Sequence, residues 1–286
     1  MKFAFVRDHL AEYPTPASCK VLGVSRSGYY RWRTAGPSAG QSRREGLAAK
    51  IQAVHQEHRQ VYGSPRIAAA LRAGGEKVCR NTVAKIMREN GLRAKGKRAF
   101  VPRTTDSRHA QPVAPNLLER DFTAAAPNRK WVTDITYVPT DQGWLYLAGV
   151  LDLHSRRVVG WAMAEHLETP LVRDALRMAL GRRSVGPGLV HHSDRGVQYC
   201  SDAYQDLLRE AGIQASMSRR GDCYDNAAME SFWSTLKTEL VHGEHYVTRE
   251  QARASIFEYI EVFYNRKRLH SSLGYVSPEA FEAAAD

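Results

Sequence analysis

The chain of 286 residues is poor in cysteine, and its four cysteines are scattered. Cys19, Cys79, Cys200 and Cys223 form no CxxC pair, which argues against a zinc ribbon and against a secreted disulfide framework. Isolated reduced thiols are the expectation. No apolar run approaches the ~20 residues of a membrane span. The opening MKFAFVRDHLAEYP places Asp8, His9 and Glu12 where a secretory signal needs an unbroken apolar stretch. A cytoplasmic protein without a membrane partner is expected. Internal repeats, low-complexity tracts and a heptad zipper are also missing.

Apolar residues make up 43% of the chain, with 13 Tyr, 8 Phe and 5 Trp. That is enough for a sizeable core and argues against global disorder. At ~100–200 residues per domain, the length suits one large domain or two ordinary ones. The formal charge of +11 is unevenly spread: residues 1–110 hold 22 Lys+Arg against 7 Asp+Glu, and residues 111–286 hold 19 against 23. A basic front half and a slightly acidic back half suggest a nucleic-acid arm on a separately folded body. A solvated basic surface is the bland alternative.

Residues 1–36 read as a short helical segment resembling a helix-turn-helix. A helix from Cys19 to Leu22, a turn at Gly23-Val24 and an N-cap at Ser25 precede the Arg/Tyr-rich SGYYRW. TAGPSAGQSRR then reads as a linker. Residues 45–101 predict a basic helical domain of the same kind, with an ordinary three-helix bundle as the alternative. Leu47, Ile51 and Val54 share one face, Pro65 opens a second helix, and Asn81 caps a third that stacks Val83, Ile86 and Met87. Lys85 and Arg88 face outward there, and the basic exit GLRAKGKRAFVPR suits phosphate contacts. Residues 102–128, with Pro102, Pro112, Pro115 and Pro127, read as an interdomain linker. From 129 to 286 the pattern is three strands, then alternating helix and strand, then long helices. An α/β layer with a mixed sheet follows.

Three carboxylates stand out. Asp134 lies inside the strand run WVTDITYV, where Asp is disfavoured, so it either sits beside a cation or faces water at an edge. Asp194 ends the short strand LVHHSD before Gly196, a position suited to ligands or merely to a turn. Glu230 shares a helical face with Asn226 and Lys237, which is either a site or a solvated polar stripe. Together they form a hard-oxygen set suited to Mg²⁺. Asp152 is a rival carboxylate, but an Asp152–Ser155–Arg156 turn explains it. His154, His191 and His192 lack Cys at ligand spacing, which argues against zinc.

With 59 residues between Asp134 and Asp194, 35 between Asp194 and Glu230, and Lys237 seven after the Glu, the set resembles the DDE transposases and retroviral integrases. More specifically, the chain resembles the OrfB product of insertion sequences of the IS-three family. The similarity is carried by YGSPRI, MRENGLRAK, WVTDITYV, GVLDLHSRRVVGW, HHSDRGVQY, DNAAMESFWSTLKTEL and YNRKRLHSSLGYVSP. It implies a ribonuclease H-like catalytic core preceded by small helix-turn-helix-like modules. It implies that Asp134, Asp194 and Glu230 are the catalytic, metal-binding carboxylates for two Mg²⁺ ions, with Mn²⁺ able to substitute. The implied chemistry is cleavage at a transposon 3′ end and transfer of that 3′-hydroxyl to another phosphodiester. Lys237 is implied to contact DNA near the cleaved phosphate. Gln198 and Tyr199 would position the strand, Asn226 would orient Glu230, and Arg266, Arg268 and His270 would meet DNA backbone. Implied partners are the terminal inverted repeats and target DNA, further copies of the chain in a synaptic complex, and an upstream OrfA product or OrfA–OrfB fusion. The expected setting is the bacterial nucleoid. A non-catalytic DNA-binding regulator, a decayed transposase and a ribonuclease H-like nuclease are the alternatives.

Overall fold

The computed structural model describes residues 1–36, 38–96, 111–219 and 223–284. Residues 97–101 of the basic exit and 102–110 of the expected linker lie outside the described residues. Helices α1 (Lys2–His9), α2 (Thr15–Val21) and α3 (Arg26–Thr34) open the chain. Gly23, at φ +62°, makes the left-handed turn between α2 and α3. Ser25 Oγ caps α3 by accepting from the Gly28 N–H at 3.2 Å. Val6, Cys19 and Tyr29 close a small core of their own.

Helix α4 (Ala39–Glu57) begins inside the stretch read as a linker. Ser38 Oγ accepts from the Gln41 N–H at 3.2 Å, and a capped start lets the helix form despite Gly40. Helices α5 (Ser64–Ala73) and α6 (Arg80–Glu89) follow, α6 starting one residue ahead of the predicted cap Asn81. The expectation of a separately folded back half is corrected. Ile51, Tyr62, Ile67 and Ile86 join one buried cluster with Val132, Leu145, Trp233 and Tyr259. Tyr62 Oη donates to the Lys267 carbonyl at 3.3 Å and accepts from the Leu269 N–H at 2.7 Å, and Arg66 Nε donates to the Leu269 carbonyl at 3.0 Å. An apolar helix face announces burial without naming its partner. The described part of 102–128 is docked as well. Leu118 is buried, and Asn116 Nδ2 and Arg120 Nε both donate to the Asp225 carboxylate at 3.0 Å.

Strands β1 (Lys130–Thr140), β2 (Gly143–Asp152), β3 (Val158–Ala164), β4 (Val190–Ser193) and β5 (Gln214–Met217) form one sheet in the order β3-β2-β1-β4-β5. The first three strands pair antiparallel, while β1–β4 and β4–β5 pair parallel. Alternation on β1 sends Trp131 to one face and Val132 to the other. Helices α7 (Thr169–Arg182), α8 (Val197–Cys200) and α9 (Asp202–Glu210) supply the core on the Trp131 face. Helices α10 (Ala227–Glu239) and α11 (Arg249–Phe257) cover the Val132 face. A Cβ at Gly160 would stand 2.2 Å from the Ala175 carbonyl oxygen, so only glycine lets α7 lie this close to β3. The long last helix expected from sequence continues past α11 as π-helix over Glu258–Tyr264, and α12 (Pro278–Ala283) ends the fold. No described helix is long and apolar enough to cross a membrane.

Candidate active site

Strand β1 pairs with β2 along its length but with β4 only at Lys130, Trp131 and Val132. Beyond Val132 that edge is open, which is why the strand tolerates Pro139 instead of ending there. The parallel register matches Val132 with His192. Carried two residues further, it sets Asp134 level with Asp194, just past the end of β4. Carboxyl ends of neighbouring parallel strands are where α/β sheets form ligand crevices. Both aspartates line a cavity of about 410 Å³.

Trp233 Nε1, from α10, donates to Asp134 Oδ2 at 3.1 Å. Burial first, and then the charge of Asp194, push the Asp134 carboxyl up to about 8, against the lowering effect of the Trp233 bond. Asp194 Oδ1 accepts from the Gly196 N–H at 2.9 Å, and a Cβ at Gly196 would approach that oxygen to 3.0 Å. Gly149, opposite Asp134 on β2, leaves room for the indole: a Cβ there would meet Trp233 Cη2 at 2.9 Å. Glu230 stands exposed on the first turn of α10, and its charge raises Asp134 further. Desolvation raises its own carboxyl. Among the described residues, no three His, Cys, Asp or Glu side chains are close enough together to hold a metal ion. The structure thus brings Asp134 and Asp194 into one cavity and leaves Glu230 on the adjoining helix.

Lys237, two turns along from Glu230, is half-buried with Nζ 4.8 Å from the centre of the Tyr137 ring. Burial lowers its pKa, and the charge of Asp134 raises it. Gln198 lines the cavity and donates from Nε2 to the Leu167 carbonyl at 3.1 Å. Lys85, Arg88 and Arg266 are exposed, Arg266 within 3.6 Å of Glu279.

Four predicted site roles are corrected, three of them DNA contacts and the fourth the orienting of Glu230 by Asn226. Tyr199 is buried, its hydroxyl 3.4 Å from Thr133 Oγ1. Asn226 is also buried and donates to the Thr133 carbonyl at 3.0 Å, so it pins the N-terminus of α10 to β1 instead of orienting Glu230. Arg268 is 3% exposed and donates to both oxygens of Glu239, at 2.8 and 2.7 Å, out of reach of a DNA backbone. His270 is pushed down to about 3 by burial and by Arg268, so at neutral pH it offers no positive charge.

Asp152 is buried and accepts from the Asn128 N–H at 2.7 Å, the His154 N–H at 2.8 Å and Trp131 Nε1 at 3.2 Å. Three donors explain it as a structural anchor. The Tyr204 hydroxyl lies 2.7 Å from His191 Nε2, and those of Ser216 and Ser218 lie 2.8 and 3.0 Å from the His192 nitrogens. Sequence reasoning missed Trp233, Gly149 and the aromatic lining Tyr137, Trp144 and Tyr146. Trp233 carries one available signal, its place three residues after Glu230 on the same helix face.

The family described as HTH-like domain matches residues 42–100, and two families described as Integrase core domain match residues 124–223 and 230–285. The transposase InsF of insertion sequence IS3A from Escherichia coli (strain K12) is 48% identical over 284 residues, 99% of this chain and 98% of that protein. The 31 kDa protein of insertion element IS600 from Shigella sonnei is 48% identical over 263 residues, covering 92% and 96%. Among solved structures, a simian T-cell lymphotropic virus intasome covers 81% of this chain and 74% of its own at 13% identity and TM-score 0.48. The catalytic core of BIV integrase covers 55% and 95% at 18% identity and TM-score 0.43. The order of helical module and integrase core, and near-half identity over almost the whole length, lead to one conclusion: the chain belongs to the IS3 family of insertion-sequence transposases, polynucleotidyl transferases with an integrase-type, ribonuclease H-like core.

Proposed function

We propose that Asp134, Asp194 and Glu230 are the catalytic carboxylates of a DDE transposase that cleaves the 3′ ends of its element and transfers the freed 3′-hydroxyls to a second phosphodiester. The observation that carries this is the pairing of Asp134 and Asp194 at one cavity, where the charge of Asp194 disfavours ionisation of Asp134. A divalent cation would remove that cost. All three donors are hard oxygens, which fits Mg²⁺, with Mn²⁺ as substitute and two ions per site. Asp134 and Asp194 would hold metal first, and Glu230 is assigned as the third ligand on the family motif. Bound metal supplies charge stabilisation at the phosphoryl oxygens.

The chain's own groups have separate tasks. Trp233 fixes the rotamer of Asp134 through its indole N–H. Lys237, close enough to feel the charge of Asp134, offers a cation to a phosphate at the cavity mouth. Lys85 and Arg88 on α6 neutralise phosphates further along the duplex, without reading bases. Water or the 3′-hydroxyl attacks phosphorus directly and the 3′ oxygen leaves, so no nucleophilic side chain is required. The order of a helical segment and then a basic helical module packed on a catalytic core belongs to this reading. So do binding of the terminal inverted repeats and target DNA, a synaptic homo-oligomer, an OrfA product or OrfA–OrfB fusion as partner, and a nucleoid location.

The test is strand cleavage and joining on DNA bearing the element's own ends, with Mg²⁺ or Mn²⁺, for the wild type and Glu230→Gln. Both forms are assayed with and without the fused upstream segment. Metal-dependent products that vanish in the variant are expected. Binding without products from any form would make the chain a DNA-binding regulator, and cleavage of RNA hybrids without joining would make it a nuclease.

A further inference from the structure

The cavity has two unlike halves. Among the described residues, Asp134 and Asp194 are the only charged ones lining it; the rest of its wall is Ile135, Tyr137, Trp144, Tyr146 and Leu167 with Gly196–Tyr199 at the start of α8. The register of β1 and β2 pairs Tyr137 with Tyr146 and Pro139 with Trp144. By strand alternation the three aromatic side chains therefore share one face of the sheet. Tyr137 and Trp144 meet edge to face, with centroids 4.7 Å apart and planes at 77°. Trp144 is still 49% exposed, and Leu167 and Val197 are 38% and 44% exposed. Apolar side chains left open around one cavity mark a binding surface rather than an unfinished core.

We propose that this half of the cavity receives one nucleobase of the element's end, turned out of the duplex and stacked on Trp144 and Tyr137, while the adjacent phosphodiester lies at the two aspartates. This rests on the catalytic reading of those aspartates. Among the described residues, the aromatic half of the wall offers no charged group to hold a phosphate. A base is the one flat, uncharged part of DNA, and base–aromatic stacking tolerates any sequence. The cavity's volume falls within the ~300–1,000 Å³ of sites for small molecules. Lys237 beside Tyr137 places a cation where the backbone of the extruded nucleotide must pass. Pulling one base from the stack frees the backbone to bend toward the carboxylates, and selects ends whose terminal pairs open readily.

The experiment uses duplexes of the element's end carrying 2-aminopurine at one position at a time, bound by the full chain without catalytic metal. Cleavage is then measured on matching duplexes with single abasic sites. At one position near the cleavage point, emission is expected to change on binding by the wild type and by Trp144→Phe, and to stay at the free-DNA level with Trp144→Leu. Cleavage by Trp144→Leu is expected to fall on the order of 10- to 100-fold, and an abasic site at that position is expected to recover most of it. Emission that changes identically with and without Trp144 at every position would overturn the proposal, as would full cleavage by Trp144→Leu. Asp134→Asn separates the two readings. A variant that no longer cleaves but keeps the emission change supports both, whereas retained cleavage sinks the catalytic assignment and leaves the emission profile to decide the base slot. Trp144 is half-exposed, so its replacement is expected to leave folding intact; Leu167→Ala, also in the cavity lining, is the second variant and should weaken the same emission change.

Discussion

Replacing Gly149 by alanine tests how the fold holds Asp134, the aspartate proposed as catalytic. On propensity alone, alanine in a strand interior should be neutral or mildly stabilising relative to glycine. The local packing predicts the opposite sign. The added Cβ would stand 2.9 Å from Trp233 Cη2, 3.3 Å from Cζ2 and 3.4 Å from Met229 Cε, so a rigid buried indole has to shift. Overpacking of this kind costs about 1–3 kcal/mol. In a chain of this size, each kcal/mol lowers Tm by roughly 2–4 °C. The same shift takes Nε1 away from Asp134 Oδ2, and hydrogen bonds to charged groups are worth about 1.5–3 kcal/mol. Cleavage is therefore expected to drop by about 10- to 100-fold. Urea denaturation and single-turnover cleavage measure the two effects, and a double-mutant cycle with Trp233→Phe identifies the cause. Phenylalanine lacks the outer indole atoms that Gly149→Ala strikes, so in that background the added methyl should cost little. A Gly149→Ala variant as stable as wild type, or penalties that simply add, would refute the reasoning.

Further outcomes follow from other contacts. Asp134→Asn should abolish cleavage while leaving DNA affinity in a gel shift nearly unchanged. The Asp134 carboxyl is raised from its ordinary 3.8 to about 8, so the folded state holds this proton more tightly than the unfolded chain does. The stability it contributes is complete below pH 3.8 and is lost as pH rises through about 8. Metal-free Asp134→Asn should therefore melt above wild type at pH 8.5 and by a clearly smaller margin at pH 5, and Mg²⁺ should raise the wild-type Tm alone. Arg268→Ala leaves the buried Glu239 carboxylate to the Tyr259 hydroxyl at 2.8 Å and to Arg66 at 3.9 Å, and should cost about 3 kcal/mol in denaturant titrations. Lys85→Ala with Arg88→Ala should weaken DNA binding across all sequences and make the slope of log affinity against log salt shallower by about 1.8. An unchanged slope would take α6 off the DNA.

Much of the site was legible in one dimension because its carboxylates break local rules. Asp134 inside β-formers and Asp194 at the end of a short apolar strand need no neighbours to look unusual. Their family motifs then supplied roles. The helices were legible through periodicity and caps, as at Ser25, whereas the capped start at Ser38 was hidden behind glycine and proline. Burial of polar groups was not legible at all. Arg266 and Arg268 stand two apart in one basic run, yet one is exposed and the other is locked to Glu239, twenty-nine residues away in sequence.

The chain alone therefore determined its class, its family and the identity of its candidate carboxylates, since these depend on residue type and spacing. Packing settled the rest. Gly149 admits Trp233 to Asp134, Asn226 ties α10 to β1 rather than to Glu230, and the helical module shares its core with the catalytic layer. Each of these is a contact between segments far apart in sequence, made when buried polar groups take the nearest partner and apolar faces close on one another. No local pattern encodes which partner that will be.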